Sequence, residues 1–310
     1  MQTDYGELRV IDAHVHFFSH QFFQSFLRSR GRQFPEQDPQ HLLQRLGWEI
    51  PPPDPVELGR RWVEELDRHG IERMVLLGSI MDDEESVARA VQAFPDRLIG
   101  FMRVDPTRPD AAERVRRAVE TLGLKGIKGF PAMECFHAYD ERVYPVYEEA
   151  QRLGVPVLFH VGLLQSAIGA ALKLPSQADA RFSNPMDVQR AARDFPGVNF
   201  IVPHFGAGYF GETLLLAAHC PNVSIDTSSA NGWTRYMPYP MDLQLVFQRA
   251  LEAVGPERII FGTDSSHFPR GFRQEILEEQ VRILKALGVS KVDAQLIVGG
   301  NIARLLRLDW

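Results

Sequence analysis

Ile11-Asp12-Ala13-His14-Val15-His16-Phe17 is the stretch whose reading decides the fold. Ile11, Ala13, Val15 and Phe17 fall at every second position, the period of a β-strand, in which side chains two apart share a face. That alternation predicts an apolar face and an opposite face carrying Asp12, His14 and His16. Two imidazoles about 7 Å apart along a strand, converging at its C-terminal end, suit a divalent metal. An isolated His-x-His is as readily a pair of core histidines satisfied by hydrogen bonds, so the metal reading depends on ligands farther along the chain.

Beyond that strand, short apolar runs alternate with helical stretches. Asp54-Pro55-Val56-Glu57 opens a helix: Asp54 caps it, Pro55 suits the first turn, Glu57 takes the capping-box position, and Gly70 ends it. Residues 73–78 then read as a buried strand. Strand-like runs recur at 98–105, 125–131, 155–162, 199–206, 223–228 and 258–265, separated by helical stretches, and two or more helices close the chain. Eight strand–helix units in 310 residues predict an α/β protein, a (β/α)8 TIM barrel, over one domain spanning 1–310. The alternative, an open doubly wound sheet, would place a glycine-rich phosphate turn after the first strand. Residues 18–53 instead carry Phe22, Phe23, Phe26, Phe34, Trp48 and Pro51-Pro52-Pro53. So many aromatics predict a packed, lid-like helical or irregular insertion, or an oligomer contact.

Composition excludes several classes of function. The net charge is −6, from 40 acidic and 34 basic residues, with no basic cluster to hold nucleic acid. The most apolar run, 155–164, is broken by Pro156 and His160 and is too short to span a bilayer. Residues 1–7 are polar and lack a signal-peptide core. Cys135 and Cys220 are too few for a disulfide framework, so a reducing cytoplasmic location is expected.

In a barrel the active site lies at the C-terminal ends of the strands. Titratable residues predicted there are His14 and His16 on strand 1, Lys128 on strand 4, His160 on strand 5, His204 on strand 6 and Asp264 on strand 8. Each alone has a structural explanation; together, at one end of the barrel, they make coincidence a poor account. The ordered set resembles the amidohydrolase superfamily. The phrases Ile11-Asp12-Ala13-His14-Val15-His16, Leu124-Lys125-Gly126-Ile127-Lys128, Val157-Leu158-Phe159-His160, Phe261-Gly262-Thr263-Asp264 and the closing Gly300-Asn301-Ile302-Ala303-Arg304-Leu305-Leu306 resemble its amidohydrolase-2 branch, related to aminocarboxymuconate-semialdehyde decarboxylase.

That resemblance implies that His14, His16, His160 and Asp264 bind one divalent metal, zinc being the expected ion. Such a metal lowers the pKa of water towards about 7 and yields a nucleophile at neutral pH. Asp264 would take the water's proton, and His204 would act as acid, base or carbonyl-polarising group. Lys128 stands where some superfamily members carry a carboxylated lysine bridging two metals. Two ions would then be held, with His160 and His204 on the second; a structural or substrate-binding lysine is the alternative. The function implied is a metal-dependent hydrolase of a small cyclic ester, amide or related carbonyl compound. The alternative is a non-oxidative, metal-dependent decarboxylase of a small aromatic or unsaturated acid. The latter wants a cation for the carboxylate, with Arg103, Arg235 and Arg60 as candidates. The loop 227–240, with Trp233, Arg235, Tyr236 and Tyr239, would wall the pocket. The expected partner is a small molecule, the homodimer common among such relatives is left open, and His267 is expected in a solvated loop.

Overall fold

A computed structural model describes residues 1–29, 38–228 and 232–310. Phe34, and residues 229–231 of the loop expected to wall the pocket, lie outside the described residues. Eight parallel strands form the barrel: β1 Ile11–Phe17, β2 Arg73–Gly78, β3 Leu98–Arg103, β4 Gly126–Gly129, β5 Val157–Phe159, β6 Phe200–Val202, β7 Val223–Asp226 and β8 Ile259–Ile260. Each strand pairs with its neighbours in chain order, which excludes the open doubly wound alternative. The extension of β8 returns to β1 through Ala13 N to Phe261 O (3.0 Å), Asp264 N to His14 O (2.9 Å) and His16 N to Ser265 O (2.7 Å). The result is a (β/α)8 barrel.

Helices Glu84–Ala93, Ala111–Glu120, Tyr144–Leu153, Val188–Asp194, Phe210–His219 and Leu243–Val254 follow β2 to β7, and Gln274–Ala286 follows β8. The sequence rules behind them are visible at α3, Pro55–His69, the helix preceding β2. Asp54 accepts a hydrogen bond from Val56 N, Pro55 occupies the first turn, and Gly70 closes the helix in the left-handed conformation. Ile11, Ala13, Val75, Leu77, Ile99, Phe101, Leu158, Ile201 and Ile260 fill the barrel interior together with Ile302 and Ala303 of the final helix, Asn301–Leu305, and Leu306 directly after it. Alternate residues such as Val15, Phe17, Met74, Leu76, Ile127 and Phe159 face the surrounding helices.

This layering corrects the simple alternation expected of β1. Ile11 and Ala13 pack inside the barrel, whereas Val15 and Phe17 pack outside it. The reversal follows from a register shift between Asp12 and Val15 in the pairing with β2. An extra residue at this point changes the phase of the pleat. Asp12 therefore does not share the face of the histidines. Its carboxylate accepts Thr263 N (3.1 Å) and His14 N (3.0 Å) and bonds the Thr263 hydroxyl, tying β1 to the extension of β8.

After β1 come α1, His20–Ser29, and α2, Pro39–Leu46. They enclose a satellite core of Phe23, Leu27, Leu42, Leu43 and Ile168, with Phe18, Phe22, Phe26 and Trp48 against it. Trp48 stacks on His267 at 3.6 Å between centroids and Glu49 N donates to Phe268 O (2.9 Å), so the segment docks on the loop after β8. His267 is consequently packed against an indole, not solvated as its sequence context suggested. Among the described residues, no helix is long and apolar enough to cross a membrane.

Candidate active site

The C-terminal ends of the strands bring His14, His16, Lys128, His160, His204 and Asp264 into one buried cluster. Neighbouring imidazole centroids lie 5.5 Å apart for His14–His16, 4.9 Å for His14–His204 and 5.0 Å for His160–His204. Asp264 Oδ1 sits 3.2 Å from His16 Nε2 and 3.7 Å from His14 Nε2. One ligand atom each from His14, His204 and Asp264 falls within 4.8 Å of the others.

What decides the chemistry is where the imidazole protons are held. His14 Nδ1 is 2.5 Å from Asp226 Oδ2, and both side chains are essentially without solvent. His204 Nδ1 donates to the backbone carbonyl of Ser228 (2.7 Å), which can only accept. Ser79 spends its hydroxyl proton on Leu77 O (3.1 Å) and so accepts from His16 Nδ1 (2.9 Å). In all three the proton is fixed on Nδ1 and the Nε2 lone pair is presented to the cluster, as a metal ligand requires. His160 is held the other way round. Its Nε2 donates to Leu163 O (3.2 Å), leaving Nδ1 as its lone-pair atom.

Burial sets the charge states. It pushes His16 down to about 3, with Lys128 adding to the effect, and lowers His204 and, more strongly, His160. These three imidazoles are neutral at physiological pH, the form that binds a metal. Burial also brings Lys128 down to about 7. Its Nζ lies 3.4 Å from Nε2 of both His14 and His16 and 5.0 Å from the Phe130 ring. Burial alone would raise Asp264, but the neighbouring imidazoles, His16 foremost, hold it well below the usual carboxylate range. The donor set, imidazole nitrogens with fixed lone pairs and an ionised carboxylate, fits a divalent cation of the zinc or manganese kind.

Aromatic groups border the cluster on two sides. Phe18 lies 5.4 Å from His16 and stacks on Phe22 (4.2 Å), bringing the insertion to the rim of the site. Phe130 stacks on His160 and lies under the guanidinium of Arg103 (4.7 Å). Arg103 is paired with Glu134 (2.5 Å) and donates to Ser79 O, while Arg60 pairs with Glu57 at the surface. Trp233 is buried against Phe210, and Arg235 stacks over and donates to Tyr236. The contacts of Trp233 and Arg235 thus lie with those aromatics and not with the histidines. Arg235 lines an open surface hollow of about 710 Å³ with Thr234, Met237, Tyr239 and Leu245.

Asp226, Ser79 and Ser228 were not found by reading the sequence. Asp226 ends β7, where a strand-terminal acid in the phrase VSIDTS was the available signal. Ser79 and Ser228 carry no signal, because their role lies in hydrogen bonds to residues distant in the chain, His16 for Ser79 and His204 for Ser228.

Comparison with known proteins bears on the family and the fold. A family model described as amidohydrolase matches residues 11–308. The 2-keto-4-carboxy-3-hexenedioate hydratase of Sphingobium sp. (strain NBRC 103272 / SYK-6) is 26% identical over 243 residues, covering 72% of this chain and 70% of that protein. Among solved structures, 5-carboxyvanillate decarboxylase from Novosphingobium aromaticivorans, complexed with manganese and 4-hydroxy-3-methoxy-5-nitrobenzoic acid, superposes with a TM-score of 0.66. It shares 18% identity and covers 99% of each chain. A probable 2-pyrone-4,6-dicarboxylic acid hydrolase from Acinetobacter baumannii, with citric acid bound, gives a TM-score of 0.60 at 14% identity, covering 97% of this chain and 100% of that one.

Proposed function

The chain belongs to the amidohydrolase family, and from that premise we propose that it is a metal-dependent enzyme that adds water to a small carbonyl compound. Hydrolysis of a cyclic ester or amide is the reaction we favour; hydration of a double bond conjugated to the carbonyl uses the same groups. The observation that carries this is the locked tautomers of His14, His16 and His204, with Nε2 of the first two 3.7 and 3.2 Å from Asp264 Oδ1. His14, His16, His160 and Asp264 would hold the metal, zinc being the ion we favour, with His160 contributing Nδ1 unless its ring turns. When bound, the ion supplies Lewis acidity and activates water at neutral pH.

The protein's own groups supply the rest. Asp264 is ionised throughout the working range and takes the proton of the attacking water. His204 is neutral, with Nδ1–H tied to Ser228 O, and exchanges a proton at Nε2. The buried amine of Lys128 orients an oxygen of the substrate; carboxylation of the same amine would create a place for a second ion. Phe18 and Phe130 exclude bulk water.

The test is an assay of the zinc-loaded protein against 2-pyrone-4,6-dicarboxylate, 2-keto-4-carboxy-3-hexenedioate and 5-carboxyvanillate, the compounds named for the relatives. Turnover of either of the first two, lost on chelation and restored by zinc, is expected. Release of carbon dioxide from 5-carboxyvanillate alone would replace water addition with the decarboxylase reading. Turnover that persists after full chelation would refute both.

A further inference from the structure

Several arginines near the barrel mouth have their charge matched. Arg103 pairs with Glu134 (2.5 Å), Arg61 with Glu49 (2.5 Å), Arg108 with Asp82 (3.0 Å) and Arg273 with Glu275 (2.8 Å). Arg270 differs. It lies six residues after Asp264, on the loop leaving β8, and its Nη2 donates to Ser266 Oγ (2.8 Å) and to the backbone carbonyl of Asp264 (3.4 Å). Among the described residues, no carboxylate lies within ion-pair distance of it. Asp264 and Glu275 act on it through space, but the first faces His14 and His16 and the second is paired with Arg273.

The loop that carries Arg270 is fixed at several points. Gly271 N donates to His267 O (3.0 Å), Phe272 N to the buried carboxylate of Glu65 (2.8 Å) and Arg273 N to Ser265 Oγ (3.1 Å). Close by in the same loop, His267 lies flat on Trp48, giving the rim an aromatic platform. A guanidinium presents a planar fork of donors that matches a carboxylate, and a rigid support reduces the entropy lost on binding one. An uncompensated fork, anchored to the carbonyl of the residue that takes the proton, is a recognition element for an anionic group of the substrate.

We propose that Arg270 determines specificity at this site by binding a substrate carboxylate remote from the carbon that receives water. The inference rests on the water-adding reading above and narrows it to substrates that carry such a carboxylate. Its test is calorimetric titration of wild type and Arg270→Gln with two probes, trans-aconitate and its uncharged trimethyl ester. Each is run on zinc-loaded and on chelator-treated protein. Loss of one charge-assisted contact is expected to weaken trans-aconitate binding about tenfold, in both metal states. Ester binding, zinc content and melting temperature should stay as in wild type, and Arg270→Lys should recover part of the affinity for the acid. Equal trans-aconitate affinity in wild type and Arg270→Gln overturns the proposal, as do no measurable binding to wild type and an equal loss for the ester. A chain that takes up no zinc would instead defeat the metal reading, while the acid-against-ester comparison in chelator-treated protein would still decide the role of Arg270.

Discussion

Asp226→Asn is the substitution that most directly tests how the site is built. Asp226 Oδ2 accepts from His14 Nδ1 at 2.5 Å, while Oδ1 accepts both Ser228 N (2.6 Å) and Ser228 Oγ (2.5 Å). Asparagine has the same shape but only one acceptor oxygen. If that oxygen faces His14, the amide NH2 meets the Ser228 N–H, which is left without an acceptor. If the amide turns over, its NH2 donates to His14 Nδ1, the imidazole proton moves to Nε2, and the ligand lone pair is lost. The first arrangement costs about 1–3 kcal/mol for a buried donor without a partner. The second removes a group of the kind whose loss lowers metal affinity about 10–100-fold, or roughly 1.4–2.7 kcal/mol. The assay is zinc affinity by competition with a chromophoric chelator, together with melting of the metal-free protein.

We expect zinc affinity to fall by that factor while a folded barrel is retained. Burial alone would raise Asp226, but His14 and the hydrogen bonds bring it below the ordinary carboxylate value. A depressed folded-state pKa means that the stability contributed is present above the unfolded value and is lost as pH falls through the folded one. The difference in melting between wild type and variant should therefore be largest near neutrality and shrink in acid, below about pH 4. Unchanged zinc affinity would refute the claim that Asp226 fixes the His14 tautomer.

The remaining expectations concern the same cluster. Lys128→Met should raise the melting temperature of the metal-free protein at pH 6, because the wild-type amine is buried and its pKa is lowered from 10.5 to about 7. The penalty is complete below about pH 7 and fades as pH rises towards 10.5, so the two melting curves should converge there; a gap independent of pH would contradict the buried-charge account. Gly262→Ala would place a methyl group 2.7 Å from His14 Cβ and 3.2 Å from Asp226 Oδ1. Chemical denaturation should show a loss of about 1–3 kcal/mol from overpacking, together with weaker zinc binding. His16→Ala should abolish zinc uptake and turnover yet keep the far-ultraviolet spectrum of a barrel. Asp264→Asn should match it in both losses, and full activity in either variant would remove that residue from the site.

Much of the fold was legible because its signals are local. Asp54, Pro55 and Gly70 mark the limits of α3 by capping chemistry, and β2 was read at its true bounds, Arg73–Gly78, from a short apolar run after a helix stop. The runs at 155–162 and 258–265 proved longer than the strands within them, Val157–Phe159 and Ile259–Ile260. Their C-terminal halves turn away to carry His160 and Asp264, so apolar character continued after the hydrogen-bonded ladder had ended. The phase of β1 was illegible for a different reason. A register shift depends on the neighbouring strand, and no pattern within Ile11–Phe17 encodes it.

The candidate site divides along the same line. His14, His16, His160, His204 and Asp264 were visible as titratable residues interrupting apolar runs, but what makes them a site lies in backbone geometry and cross-barrel bonds. His204 and Asp264 adopt φ of 57° and 60°, in the left-handed region, and Phe205 follows at 51°. Such conformations are disfavoured for residues with a Cβ and persist only where surrounding contacts enforce them. Here the contacts are identifiable: His204 is drawn to Ser228 O, and Asp264 N is bound to His14 O. Both residues leave their strands through a left-handed step that turns their side chains to the point where His14 Nε2 arrives from β1. For Asp264 the strain and the convergence have one origin, the closure of β8 onto β1; for His204 the origin is the bond to the segment after β7. Substitutions in that closure, at Gly262 or Asp12, should therefore disturb the cluster as surely as substitutions in the cluster itself.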